Sequence, residues 1–424
     1  MLRIATAIIM SMLSPYRVLD LTTDRGLLCA EILGDMGADV IKIEPPGGSP
    51  ARLIPPFVDD QPHPDRSLYW WSYNRNKRSI TLDIASAQGR ELLNRLVKSA
   101  DFLIESFDPG YLANVGLGYD ALNAINPAMI VVSITPFGQD GPKAHYADAD
   151  LIMMAAGGPL ILAGDDDRPP VRLSVPQAYL HASADAAVAA LAAHHERVDS
   201  ALGQHIDVAA IQSIPIATQS YVLAAPLGSA EARRMSGGVK FGPMNIPLVW
   251  PAKDGFIALT YLFGSALGVF TRKLMEYLCE QGYCDEATRD KDWIGLGELL
   301  ASGKEPLSEF ERLKQIVIKF TSSHTKAELL QFAVDRGFLM TPVSTIEEVV
   351  KSPQLASRNY WQTVEHPELG RSFSYPGPFA KFSATPIEYR RRPPTVGEHN
   401  REIYAGELGL STERIAKLER EGVI

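Results

Sequence analysis

Few residues in this chain have the types and spacing that do chemistry. His194-His195 is a metal-ligand pair by type. Adjacent helical residues point about 100° apart, so the two imidazoles do not converge on one ion, and the pair reads as a solvated helix end. Asp165-Asp166-Asp167 has the charge density of a cation site. It lies between Gly164 and Arg168-Pro169, and a polar turn is the simpler reading. Cys29, Cys279 and Cys284 are too few for a disulfide framework and match no zinc spacing. They suit a reduced, cytosolic chain. Tyr69-Trp70-Trp71 followed by Arg75, Lys77 and Arg78 combines stacking surface with cations, as in a single-strand nucleic-acid groove. The formal net charge of -9, from 41 basic and 50 acidic residues, argues against that reading. Packing beside a small anion-accepting pocket fits better. A dinucleotide fold wants Gly-x-Gly-x-x-Gly after its first strand, and Thr22 to Leu27 supplies one glycine. P-loop, His-Glu-x-x-His and Gly-x-Ser-x-Gly motifs are absent.

The elements that must position any site follow a repeating pattern. Tyr16 to Leu21 reads as a buried strand, Leu27 to Met36 as a helix ending at Gly37, and Asp39 to Ile43 as a second strand. Strand, helix and strand within about 30 residues make the unit of a parallel sheet. The pattern repeats with a helix at Ser86–Ser99, a strand at Asp101–Glu105, a helix at Tyr119–Asn126 and a strand at Met129–Ile134. The fold class is therefore α/β, with a Rossmann-like open parallel sheet. Ala147 to Ala156 and the Ala-rich Ala178 to Arg197 read as further helices. At 424 residues, 46% hydrophobic and 21% charged, two lobes are expected. The expected division is a large domain over 1–225, an extended Gly- and Pro-containing linker over 226–247, and a smaller α+β domain over 248–335. A return segment, 336–424, would complete the large domain. Met1 to Leu13 is too short an apolar run for a signal peptide and reads as an over-long start. No stretch reaches the ~18 apolar residues of a membrane helix, so no membrane association is expected.

Several segments together carry a resemblance. They are Leu33 to Gly48 (Leu-Gly-Asp-Met-Gly-Ala-Asp-Val-Ile-Lys-Ile-Glu-Pro-Pro-Gly-Gly), Asn74 to Asp83, Ala100 to Gly110, Ile125-Asn126-Pro127, Phe137 to Pro142, Gly203 to Val208 and Gly397 to Asn400. In this order they resemble the class III CoA-transferases, the family of formyl-CoA transferase and of the carnitine and bile-acid CoA-transferases. The resemblance implies two chains interlocked as rings, with coenzyme A or its acyl thioester bound as substrate and no permanent cofactor or metal. It implies CoA contacts at Thr23, Asp24, Arg52, Lys77, Leu82, Ser106, Phe107, Asn114 and Val115. It also implies an aspartate that attacks the thioester carbonyl.

The departure from the family decides the expected role. The nucleophile's position, counted back without a gap from Gln204, holds Tyr179. A phenol with pKa about 10 is neutral at pH 7 and a poor acyl carrier. Asp185 lies six residues on, rotated by about 240° on a helix, and faces elsewhere. The racemase branch of the family uses His-Asp where this chain has Ala149-Asp150. Where many relatives hold CoA with an arginine, this chain has Asn114-Val115, leaving Arg52 and Lys77 to compensate. No catalytic nucleophile is thus expected in this chain. Within the family it resembles the subunit without the aspartate in the two-subunit enzymes of benzylsuccinate activation in anaerobic toluene degradation. A second family subunit carrying the aspartate would be its partner, with succinyl-CoA as donor and benzylsuccinate as acceptor. The alternatives are a self-sufficient homodimer with a displaced nucleophile, and a non-catalytic binding or regulatory module.

Overall fold

The computed structural model describes residues 11–228 and 233–424. The segment weighed as a leader, Met1 to Leu13, lies outside the described residues except for its last three, of which Leu13 is buried and donates its N–H to Met36 O at 3.0 Å. The chain divides into two compact units. The larger comprises the residues up to Pro159, Leu173–Gln219 and Gln354–Ile424; the smaller comprises Leu160–Arg172 and Ser220–Pro353.

The larger unit is built on six parallel strands: β1 (Arg17–Leu21), β2 (Asp39–Glu44), β3 (Lys77–Thr81), β4 (Phe102–Glu105), β5 (Ile130–Thr135) and β6 (His205–Ala209). Their order is β3-β2-β1-β4-β5-β6, the doubly wound arrangement, so the α/β reading holds. The helices of this unit are α1 (Leu27–Asp35), α2 (Leu68–Tyr73), α3 (Ala87–Val97), α4 (Tyr111–Asn114), α5 (Tyr119–Ile125), α6 (Asp150–Ala156) and α7 (Ala178–Ser200). Alternate residues along each strand feed two cores. Leu19, Ile41, Leu103 and Val131 pack on one face with Ile403, Tyr404 and Leu418 of the C-terminal segment. Val18, Phe102, Ile130 and Val132 pack on the other with Ala182, Ala186 and Ala190 of α7. The alanine stripe recurs every fourth residue, and its small side chains let the long helix lie close to the strands.

Reversal of strand order between β1 and β4 opens a crevice at their carboxyl ends, the position where doubly wound sheets take ligands. The β1–α1 turn and the β4–α4 loop meet there. Thr23 N donates to Ser106 Oγ at 2.8 Å.

In the smaller unit, Val249–Ala252, Gly255–Leu259 and Met340–Pro342 form an antiparallel sheet. Trp250, Tyr261, Trp293 and Phe310 centre its core. Part of the segment expected to run as an extended linker is a β-hairpin instead, Gly238–Phe241 paired with Met244–Pro247. Its turn glycine, Gly242, sits at φ +56°, which favours a residue without Cβ.

Candidate active site

The crevice between β1 and β4 holds a cavity of about 1190 Å³. Its walls all belong to the larger unit. Thr23, Asp24 and Arg25 come from the β1–α1 turn, Ser106, Phe107 and Asp108 from the β4–α4 loop, and Asp148 to Asp150 from the approach to α6. Tyr179 and Leu180 come from the first turn of α7, and Tyr69 and Tyr73 from α2. Thr23, Asp24, Ser106, Phe107 and Tyr179, all singled out from the sequence, are thus brought together.

Tyr179 is placed by the start of α7. Asp150 Oδ1 accepts from Gln177 N at 2.6 Å and from Ala178 N at 2.8 Å, satisfying two of the donors that a helix start leaves open. Asp150 therefore works as a helix cap here. The Tyr179 hydroxyl donates to Asp148 Oδ2 in a short contact. Asp148 Oδ1 accepts from Arg25 Nη2 at 2.6 Å, and Arg25 Nη1 donates to Asp108 Oδ1 at 2.8 Å. Burial, and then the hydrogen bond to Asp148, push the Tyr179 phenol far above its ordinary range, so it stays neutral and donates. Burial opposes the charge on Arg25, but Asp108 and Asp148 outweigh it and hold the guanidinium above its usual value. Sequence reasoning missed Arg25 and Asp148, which lie 123 residues apart and carry no local pattern.

Arg52 and Lys77, expected to hold CoA, are committed within the fold. Arg52 is 1% exposed. Its Nε and Nη2 grip Glu44 at 2.6 and 2.8 Å, Nη1 reaches Asp65 at 2.8 Å, and the guanidinium lies 3.9 Å over Trp70. Lys77 Nζ is wholly buried among Asp20 Oδ2 at 2.8 Å, Leu27 O at 3.0 Å and Asn74 Oδ1 at 3.0 Å. Three acceptors exhaust its donors, so it has none left for a phosphate. Asp20 binds Lys42 as well, at 3.1 Å, and accepts from Thr22 N and Oγ1 at 2.9 and 2.6 Å. Burial opposes the Asp20 charge, but the two lysines win and hold its carboxyl at about 2. This cluster fixes the turn that carries Thr23, Asp24 and Arg25, and Lys77 acts through that turn.

Leu82 is also a core residue, donating its N–H to Glu44 O at 2.7 Å. Asn114 ends α4 on the surface, and Val115 packs half-buried against the core. Neither lines the cavity. The anion-accepting pocket expected beside Tyr69-Trp70-Trp71 does not form at the cations following it. Arg75 pairs with Glu31 and Asp35, and Arg78 with Asp39, Glu402 and Glu407. The acidic triplet is a polar turn: Asp165 accepts from Ser236 N and Oγ at 2.8 and 2.9 Å, Asp166 pairs with Lys240, and Asp167 with Arg168. His194 packs edge-on to Tyr16, with ring centroids 4.4 Å apart, and shares its Nδ1 with Arg197. Among the described residues, no group of three or more His, Cys, Asp or Glu is placed to hold a metal. Cys29 is fully buried, and burial pushes its thiol well above the usual range, so it is no substitute nucleophile.

The description "CoA-transferase family III" matches residues 13–400. The chain belongs to CoA-transferase family III. Among its relatives is the succinyl-CoA:(R)-benzylsuccinate CoA-transferase subunit BbsE of Thauera aromatica, 34% identical over 413 residues, covering 97% of this chain and 98% of that one. The succinyl-CoA–D-citramalate CoA-transferase of Chloroflexus aurantiacus is 30% identical over 421 residues, covering 97% of this chain and 98% of that protein. The fold matches the crystal structure of a CAIB/BAIF family protein from Brucella suis with a TM-score of 0.78 at 26% identity, over 93% of this chain and 99% of that one. The cavity lies at the β1/β4 switch point, where doubly wound sheets take ligands. Its polar floor here is a phenol, a carboxylate and a guanidinium in mutual contact. Among the described residues, no helix is long and apolar enough to cross a membrane.

Proposed function

We propose that this chain is the non-nucleophilic subunit of a heteromeric CoA-transferase. The complex moves CoA from a donor such as succinyl-CoA to a carboxylic acid such as benzylsuccinate. The observation that carries the reading is Tyr179 at the cavity floor, hydrogen-bonded to Asp148, where the family resemblance calls for the nucleophile. A partner subunit of the same family supplies the aspartate. Its carboxylate attacks the thioester carbonyl, the C–S bond breaks and CoA leaves as thiolate. The thiolate then attacks the aspartyl carbonyl of the mixed anhydride and releases the donor acid. The acceptor carboxylate repeats the exchange in reverse. Subunit BbsE of Thauera aromatica, named for such an activity as one subunit, supports this reading over 97% of the chain. In this chain Thr23, Asp24, Ser106 and Phe107 form the wall against which CoA lies.

One observation favours a second reading, a self-sufficient enzyme with a displaced nucleophile. Asp148 brings a carboxylate to within hydrogen-bond reach of the Tyr179 hydroxyl. That carboxylate is already spent: both oxygens accept charge-assisted or short hydrogen bonds, which lower their electron density for attack. Peptide mass spectrometry of the complex, quenched during turnover of succinyl-CoA, separates the readings. The proposal expects the CoA adduct on the partner's aspartate peptide. An adduct on the peptide containing Asp148 would replace it with the second reading.

A further inference from the structure

Arg25 is the one cation among the described residues lining the cavity, and its two arms are held unequally. The inner arm, Nη2, donates to Asp148 Oδ1 at 2.6 Å. The Asp148 side chain is only 8% exposed, and its other oxygen accepts from the Tyr179 hydroxyl. The outer arm, Nη1, donates to Asp108 Oδ1 at 2.8 Å, but the Asp108 side chain is 80% exposed. An ion pair to so exposed a carboxylate is weak, because water solvates that carboxylate nearly as well once it swings away. The inner pair is shielded, so screening is weak there. Asp148 thus fixes the guanidinium, and Asp108 covers an arm that a ligand can claim. The other two carboxylates of the lining are engaged elsewhere or solvated. Asp150 accepts from the N–H groups of Gln177 and Ala178, and Asp24 is exposed.

We infer that Arg25 is the receptor for a second carboxylate on the acyl group, which takes the Nη1 arm from Asp108 while Asp148 keeps Nη2. The cavity therefore selects acyl groups of dicarboxylic acids. The inference deepens the reading above and rests on it. The succinyl donor and the benzylsuccinate acceptor share that second carboxylate, so one receptor serves both halves of the exchange. Arg25 sits in the same turn as Thr23, whose Oγ1 accepts from Arg25 N at 3.5 Å, so the wall against which CoA lies also carries the guanidinium. Exchanging one carboxylate for another keeps the guanidinium paired, and no charge is stranded in the half-buried wall. A monocarboxylyl thioester leaves Asp108 in place and gains nothing from Arg25.

Succinyl-CoA and butyryl-CoA are equal in acyl length and differ by a carboxylate in place of a methyl group. Both, and coenzyme A itself, are titrated by calorimetry into the full chain in complex with its partner. The partner's aspartate is replaced by alanine so that no transfer occurs. At the site that responds to substitution of this chain, succinyl-CoA is expected to bind at least about fivefold more tightly than butyryl-CoA. Asp108→Asn removes the competing charge at a side chain whose 80% exposure poses little folding risk. It should tighten succinyl-CoA about threefold and leave butyryl-CoA and coenzyme A within about twofold. Arg25→Gln should bring the two thioesters within about twofold of each other, by weakening succinyl-CoA. A residue that only shapes the wall would move all three ligands alike. Equal shifts of all three, or weaker succinyl-CoA binding in Asp108→Asn, would overturn the inference and leave CoA binding at this cavity standing. Binding that neither substitution moves for any of the three would place the ligands outside this cavity and overturn the CoA reading with it.

Discussion

Residues of one chemical type do opposite jobs in this chain according to what surrounds them. Arg52 and Lys77 have the side chains that bind phosphates, yet each is buried against carboxylates and serves the fold. Removing one partner of such a pair strands a buried charge. Lys77→Met should cost about 3–5 kcal/mol, seen as a lower denaturant midpoint for the larger unit. Asp108→Asn, on an exposed pair, should cost less than about 1 kcal/mol in the same experiment. Tyr179 argues similarly from its neighbour. In Tyr179→Asp the new carboxylate would share one guanidinium, Arg25, with Asp148. Two carboxylates in one site cannot both ionise readily. The single variant should therefore show little CoA transfer when assayed alone with succinyl-CoA, while Tyr179→Asp with Asp148→Asn should gain at least about tenfold over it. Equal rates in the two variants would show that Asp148 does not restrain that position.

The elements differ in how openly the sequence announces them. β4 and β5 are mainly apolar runs buried on both faces, and β1 and β2 carry apolar pairs between charged residues; bounded by turns, their places follow from that pattern. β3 escapes the same reasoning. It reads Lys-Arg-Ser-Ile-Thr, and every residue is buried. Its polar side chains are satisfied by Asp20, Asp39 and Glu44, residues far away in the chain. The hairpin Gln362–His366 with Arg371–Tyr375 is hidden for a like reason, since its exposed positions are polar and its strands short. The candidate site was legible where the family resemblance pointed to Tyr179, Thr23 and Ser106, and illegible where it depends on long-range pairing through Arg25 and Asp148. Helix α1 adds a further buried feature with a measurable consequence. Glu31 and Asp35, one turn apart, share Arg75, and burial pushes the Glu31 carboxyl from 4.5 to about 8. The folded state keeps that proton while the unfolded chain loses it near 4.5, so this contribution is fully present below about 4.5 and is lost as pH rises to about 8. Relative to Glu31→Gln, the unsubstituted protein should lose melting temperature between pH 5 and pH 8. Asp35, raised by burial, and Glu105, raised by burial to about 7, act in the same direction in both proteins, while His194, His205, His366 and His399, lowered by burial, act against it in both. An unchanged slope in Glu31→Gln would place the titration elsewhere.

At the scale of the whole molecule the central claim is one of divided labour: this chain supplies fold and binding wall, and a second family III subunit supplies the carboxylate. The claim joins a floor of Tyr179, Asp148 and Arg25 to membership of CoA-transferase family III, and proposes that the carboxylate missing at that position comes from a partner. Assembly should follow function. Size-exclusion chromatography with light scattering should show the chain entering a stable complex with its partner, and a well-behaved monomer at micromolar concentration when expressed alone would argue against an interlocked assembly. The most direct test is turnover itself. CoA transfer from succinyl-CoA to an aryl-succinate acceptor is measured for the purified chain alone, for the chain co-expressed with a family member bearing the aspartate, and for that complex with the partner's aspartate replaced by alanine. The account predicts transfer only in the intact complex. Robust turnover by the lone chain, or by the complex without the partner's aspartate, would contradict it.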